Sequence, residues 1–155
     1  MANSKLEESK SNLKNAENLI SINYKIIKEN KILLKALQEI GKAIKLLIEI
    51  IEENKQKESP SSQINKDSIE ILYNENKNCG LSEKQLIEIK NLFEVIKLHK
   101  QSPMEFSRKE KWVIMSEEFQ TNIINLEMIE KNIATTKDML KSIEERISKD
   151  NLRTI

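Results

Sequence analysis

The chain is poor in the residues that most folds and most catalytic sites depend on. It holds one Cys, one His, two Gly, two Pro and three Arg in 155 residues, and only 4% of it is aromatic. One Cys excludes a disulfide framework and a cysteine-built zinc site. One His excludes a multi-histidine metal centre. Two Gly and two Pro are too few for a turn-rich sandwich, a barrel or a glycine-rich phosphate loop. The balance of 26 basic and 25 acidic side chains argues against a uniformly basic nucleic-acid binder. No cofactor and no metal are implied.

What remains is 38% hydrophobic and 33% charged, a composition suited to a helix-rich protein. The length is that of one domain, able to bury roughly 68–70% of its extended surface. Residues 1–155 read as a single helical-bundle domain. The N-terminus runs from Met1-Ala2-Asn3-Ser4-Lys5 straight into a polar helical pattern, without the apolar core of a signal peptide. The most apolar stretch, Leu33 to Ile51, carries Lys35, Gln38, Glu39, Lys42, Lys45 and Glu49. Charges near its middle would each cost about 2.5–3.5 kcal/mol in a bilayer, so no membrane span is expected. A cytoplasmic protein follows as the expectation. Ile, Lys and Asn dominate with 24, 23 and 16 occurrences, which points to codon bias and lowers the weight of any single Lys.

Helical periodicity organises most of the chain. From about Lys5 to Lys28, the residues Leu6, Ser9, Leu13, Ala16, Ile20, Tyr24 and Ile27 form one stripe. Tyr24 reads as core. Glu29-Asn30-Lys31 interrupts the stripe without a Gly or Pro, so residues 5–55 are compatible with one helix or two. The second helix, from about Ile32 to Lys55, is apolar around most of its circumference. Only a narrow wet stripe remains, which puts the helix at a bundle centre or in an oligomer interface. Gly41 in its middle predicts the close approach of a neighbour. Residues 56–66, with Ser59-Pro60-Ser61-Ser62, read as a loop, and Asp67-Ser68-Ile69-Glu70 as the capping box of a short helix ending near Cys79-Gly80. Cys79 has no base near it in sequence and reads as a bystander thiol. Ser82 with Gln85 forms a second capping box, stapled by Leu81 and Leu86, and opens a helix with Leu86, Ile89, Phe93 and Ile96 on its core face. That helix must end before Pro103. Asn125 caps the last helix, whose stripe is Leu126, Ile129, Ile133, Thr136, Leu140, Ile143 and Ile147. Its heptad matches that of the first helix, so the two are expected to pair.

The fold expectation is therefore all-α: an up-and-down antiparallel bundle of four main helices and one short one. A small β-hairpin is expected before the last helix, turning near Lys109-Glu110 inside a non-helical insert at about 101–124. A connection of this length exceeds what bundles ordinarily need.

The insert also gathers the rare chemistry. The segment 97–112 holds the only His, the only Trp and one of the three Arg. Lys97, Lys100, Arg108, Lys109 and Lys111 oppose Glu105 and Glu110 there, an excess of three positive charges in a near-neutral chain. Basic groups beside an aromatic ring hold phosphates and stack bases. Candidate contacts are thus Lys97, His99, Lys100, Arg108, Lys109, Lys111 and Trp112. The bland alternative is that Phe106, Trp112 and Ile114 plug the bundle end while the lysines are solvated. For catalysis the candidates are His99, as an acid or base near neutral pH, and Arg108, stabilising a pentavalent phosphate. Ser102 lacks the context of an activated nucleophile.

The order of parts, with two long antiparallel helices first and the second rich in Ala, Ile and Leu over Leu34-Lys35-Ala36-Leu37-Gln38-Glu39-Ile40-Gly41-Lys42-Ala43-Ile44, resembles the HEPN family of prokaryotic helical bundles. The resemblance spans about Lys5 to Lys100. Ribonucleases of that family carry an Arg four to six residues before a His, whereas His99 has no Arg anywhere upstream. The resemblance therefore implies a dimerising, non-catalytic bundle of toxin–antitoxin or nucleotidyltransferase-associated type. Three functions stay open. The leading one is a non-catalytic interaction module, a homodimer or the binder of a protein partner through its apolar helix faces, with a phosphate or nucleic-acid contact at 97–112. The others are an RNA-processing enzyme using His99 and Arg108, and a purely structural adaptor.

Overall fold

A computed structural model describes residues 2–58, 81–101 and 104–153. The predicted loop at 56–66 lies mostly outside them, and the short helix with Cys79, together with Ser102 and Pro103, lies wholly outside.

The first helix, α1, spans Ala2–Asn18 and passes through a π-helical turn, Leu19–Asn23, into a last short piece, α2, Tyr24–Ile27. Lys28 then takes a left-handed backbone with φ 55°, and its N–H caps the Tyr24 carbonyl at 2.9 Å. The chain reverses, so residues 5–55 form two antiparallel runs, the second being α3, Lys31–Glu58. Leu6, Ser9, Leu13 and Ala16 are buried as the stripe predicts, but Ile27 is 57% exposed. The π turn explains the correction. It takes an extra residue per turn, which rotates everything after it by about 100° relative to an uninterrupted helix.

Helix α4 is Glu83–Gln101. Its capping box is reciprocal: the Gln85 N–H donates to Ser82 Oγ at 3.2 Å, and the Ser82 N–H donates to Gln85 Oε1 at 2.9 Å. Leu81 and Leu86 are both buried beside it. The buried face is Leu86, Ile89, Leu92 and Val95, with Phe93 and Ile96 only partly covered, so the face is turned slightly from the predicted one. The final helix, α5, is Leu126–Arg153. Asn125 Oδ1 caps it by accepting the Met128 N–H at 2.9 Å. Its core row includes Met139, Asn132 and Thr135 beside the predicted Ile129, Ile133, Thr136 and Ile143.

Between α4 and α5 lies a three-stranded antiparallel sheet in the order β1 (Met104–Arg108), β2 (Lys111–Met115), β3 (Thr121–Ile124). The hairpin is as predicted, with Arg108 opposite Lys111 across a two-residue turn. The third strand corrects the expectation of an all-α fold with a bare hairpin. It returns through a turn in which Phe119 has φ 62° and the Ser116 N–H donates to the Gln120 carbonyl at 2.9 Å. Four residues alternating in burial give too short a period to separate from loop in the sequence.

Helix α3 is the hub. It packs on α1, α4, α5 and β2. Leu33, Leu37, Ile40, Ile44, Leu47 and Ile50 are fully buried. Surplus apolar surface on this helix was the ground for expecting a dimer, and neighbours within one chain cover it. The terminal helices pair through Lys10 with Glu144 at 2.5 Å and Glu17 with Lys137 at 2.6 Å. Exposed pairs of this kind contribute little stability each.

Gly41 sits against Ile96, whose Cδ1 would lie 2.6 Å from an added Cβ. The obstacle is the free end of a half-buried side chain. Replacing Gly41 by Ala gains about 1 kcal/mol of helix propensity and loses about as much by moving Ile96 off its rotamer. The expected net change in urea unfolding is under about 1 kcal/mol. Gly41→Leu, which cannot be cleared that way, should cost about 1–3 kcal/mol.

Candidate phosphate-contact site at the hairpin end

The residues singled out in segment 97–112 do not form one site. The fold disperses them.

His99 and Trp112 share one carboxylate. His99 Nδ1 lies 2.6 Å from Glu105 Oε1, and the Trp112 indole N–H donates to the same oxygen at 3.1 Å. Both rings are half-buried, and Ile114, opposite Glu105 in the sheet, is fully buried. This cluster ties the end of α4 to β1 and β2. Trp112 is therefore a packed, bonded ring rather than an open platform for a base.

Arg108 is not brought to His99. Side chains alternate along a strand, so Glu105 and Ser107 share one face of β1 while Arg108 lies on the other, three residues and roughly 10 Å from Glu105. The candidate catalytic pair has no common centre. Arg108 and Lys97 are exposed, and neither lines a cavity among the described residues.

Lys100 lines a groove between α1, α3 and α4, whereas its sequence neighbours Lys109 and Lys111 line a different cleft.

Lys109 and Lys111 join Lys25 and Lys28 around a cleft of about 680 Å³, with Glu110 and Glu127 as the counter-charges. The cleft is built around Asn30. This buried amide accepts from the Tyr24 hydroxyl at 3.1 Å and donates to Ser107 Oγ at 2.7 Å and to the Lys109 carbonyl at 2.6 Å. All of its bonding capacity for N–H is used, and the hairpin is latched to the α2–α3 corner. Burial first, and the charge of Glu110 second, hold the Tyr24 phenol above its ordinary value, so it stays a neutral donor. Tyr24 packs against the core, as read from sequence, and also lines the cleft.

Two of the four lysines carry a backbone cost. Lys28 has φ 55° and Lys109 has φ 52°. Left-handed positions at a helix stop and in a two-residue hairpin favour Gly or Asn, and another residue there costs of order 1 kcal/mol. Lysine at both positions, beside one cleft, places charge where the backbone would be better served by glycine. Sequence reading missed Lys25, Lys28 and Asn30. The break at Glu29-Asn30-Lys31 was the available signal, but nothing local says that it meets a hairpin almost 80 residues later.

Among the described residues no group of three or more His, Cys, Asp or Glu side chains converges as a metal site, and no helix is long and apolar enough to cross a membrane. Searches of protein-family models, of curated proteins and of solved structures find no match to this chain.

Proposed function

We propose that this protein is a non-catalytic helical interaction module whose hairpin end contacts the phosphates of single-stranded nucleic acid, in a cytoplasmic setting. The observation that supports it most is the meeting of Lys25 and Lys28 with Lys109 and Lys111 around one cleft, held by Asn30. Two segments distant in sequence each contribute a pair, and two of the four lysines occupy left-handed backbone. A cleft with four cations and two anions suits a polyanion that is gripped by its backbone rather than read by its bases. The reading agrees with what the HEPN resemblance implies, a bundle without the ribonuclease spacing of Arg and His. The separation of His99 from Arg108 weighs against the enzyme.

The test exploits the backbone. Lys28→Gly with Lys109→Gly removes two charges while relieving two strained positions, so the double variant should be at least as stable as the parent. Binding of a fluorescein-labelled, mixed-sequence single-stranded RNA is followed by anisotropy. Four phosphate contacts predict a fall in affinity of about 50-fold between 50 and 200 mM salt. The double glycine variant should bind about tenfold more weakly at low salt, with a shallower slope. A stable variant with unchanged affinity and slope removes the cleft from the interaction. No saturable binding by the parent leaves the structural adaptor.

A further inference from the structure

A second groove lies along α3 itself. The groove between α1 and α4 is floored by the wet stripe of α3, where Lys35, Gln38, Lys42 and Lys45 follow one another at helical spacing. Lys100 reaches it from α4, and the π turn Leu19–Asn23 forms part of its wall. Its volume is about 680 Å³, in the range of small-molecule pockets. Among the described residues, no side chain lines both this groove and the hairpin-end cleft.

Three features separate it from a merely solvated face. The first is charge. Lys35, Lys42, Lys45 and Lys100 oppose a single acid, Glu39, in a chain whose overall net charge is +1. The second is Glu39 itself. Its Oε1 takes only a long bond from Lys42 Nζ at 3.4 Å, while its Oε2 is buried and has no partner among the described residues. Oε2 has no surface that a ligand could touch, so the carboxylate's spare capacity to accept toward the groove is at Oε1. The third is the wall. A π turn is costly to keep and recurs at functional sites, and here it brings Leu19 and Asn23 to the groove beside Asn15 and Asn18.

The ligand chemistry follows from that inventory. The lysines call for phosphate. Glu39 Oε1, held only by a long contact to Lys42, can accept from a hydroxyl or amine donor. Three asparagines and a glutamine both donate and accept, which suits neighbouring hydroxyls. Among the described residues the lining contains no aromatic ring, so a nucleobase has nothing to stack on. A sugar carrying phosphate meets every one of these demands.

We propose that the α1–α3–α4 groove binds a phosphorylated sugar, with Lys42 and Lys45 at the phosphate and Glu39 accepting from a sugar hydroxyl. Isothermal titration calorimetry on the full chain tests it, with fructose 1,6-bisphosphate, glucose, inorganic phosphate and ATP as the probes. The bisphosphate should saturate, phosphate alone should bind at least tenfold more weakly, and glucose should not bind. Glu39→Gln, nearly isosteric, should weaken the bisphosphate about tenfold and leave phosphate unchanged. Lys42→Ala, at an exposed position that the fold does not need, should weaken both. The glycine variant of the hairpin cleft should bind the bisphosphate as the parent does, which keeps this site distinct from the nucleic-acid reading. No saturation by millimolar bisphosphate overturns the proposal. So does a bisphosphate affinity untouched by both Glu39→Gln and Lys42→Ala, or ATP binding more tightly than the sugar.

Discussion

Asn30→Ala should release the hairpin from the helix corner and cost about 2–3 kcal/mol. The side chain makes three hydrogen bonds, at 3.1, 2.7 and 2.6 Å, from a buried position. Each such bond is worth about 0.5–1.5 kcal/mol net. The full sum is not reached, because Ser107 and Lys109 are exposed and recover water when the amide is gone. The loss should also be uneven. Trp112 reports the sheet, and backbone circular dichroism reports the helices. In urea the Trp112 transition of Asn30→Ala should precede the helical one, while the two coincide in the parent. Asn30→Asp keeps the acceptor for Tyr24 but cannot donate to Ser107 or to the Lys109 carbonyl, so it should resemble the alanine variant. RNA affinity should fall in both, since Lys25 and Lys28 stand on one side of the latch and Lys109 and Lys111 on the other. A variant within about 0.5 kcal/mol of the parent, with coincident transitions, would mean that the hairpin is held by its apolar underside and that Asn30 only fills space.

This latch marks the limit of what the sequence discloses. Elements that rest on local chemistry were legible: the Ser82–Gln85 capping box, the Asn125 cap, the turn at Lys109-Glu110 and the central place of α3 all follow from short patterns of side chains. The close neighbour of Gly41 was legible too, because glycine inside a helix is costly unless something approaches it. Features set by register were not. The π turn leaves no mark in composition, yet it swings Ile27 into solvent and shapes the wall of a groove. The third strand is four residues long, below the length at which alternation is distinctive. Convergence was the least legible of all. Seven candidates adjacent in sequence looked like one basic site, and a helix end, a strand and a hairpin turn dispersed them. Nothing in the sequence singles out Lys25 and Lys28, which the fold brings to the hairpin.

Leu37→Ala should carry the largest stability cost, about 3–5 kcal/mol. Leu37 is fully buried near the centre of α3, where helices on several sides leave little room for collapse into the space vacated. Losing a buried leucine to alanine costs about 2–5 kcal/mol, the upper part of the range applying where the cavity persists. Against a total of about 5–15 kcal/mol this is a large fraction. The thermal midpoint should fall by roughly 10 °C, at about 2–4 °C per kcal/mol for a chain of this length. Ile26→Ala, at a side chain 76% exposed, should change it by little and serves as the control. Repeating both measurements over a hundredfold range of protein concentration asks a further question of the same helix. If α3 is covered within one chain, the midpoint of the parent and the deficit of Leu37→Ala are independent of concentration. An obligate pair of chains would make the midpoint rise with concentration in parent and variant alike, because association then contributes to the folded state by mass action. A constant midpoint would mean that the apolar circumference of α3 is spent on its own bundle. Any partner would then have to be met by the polar ends and grooves, where the lysines are.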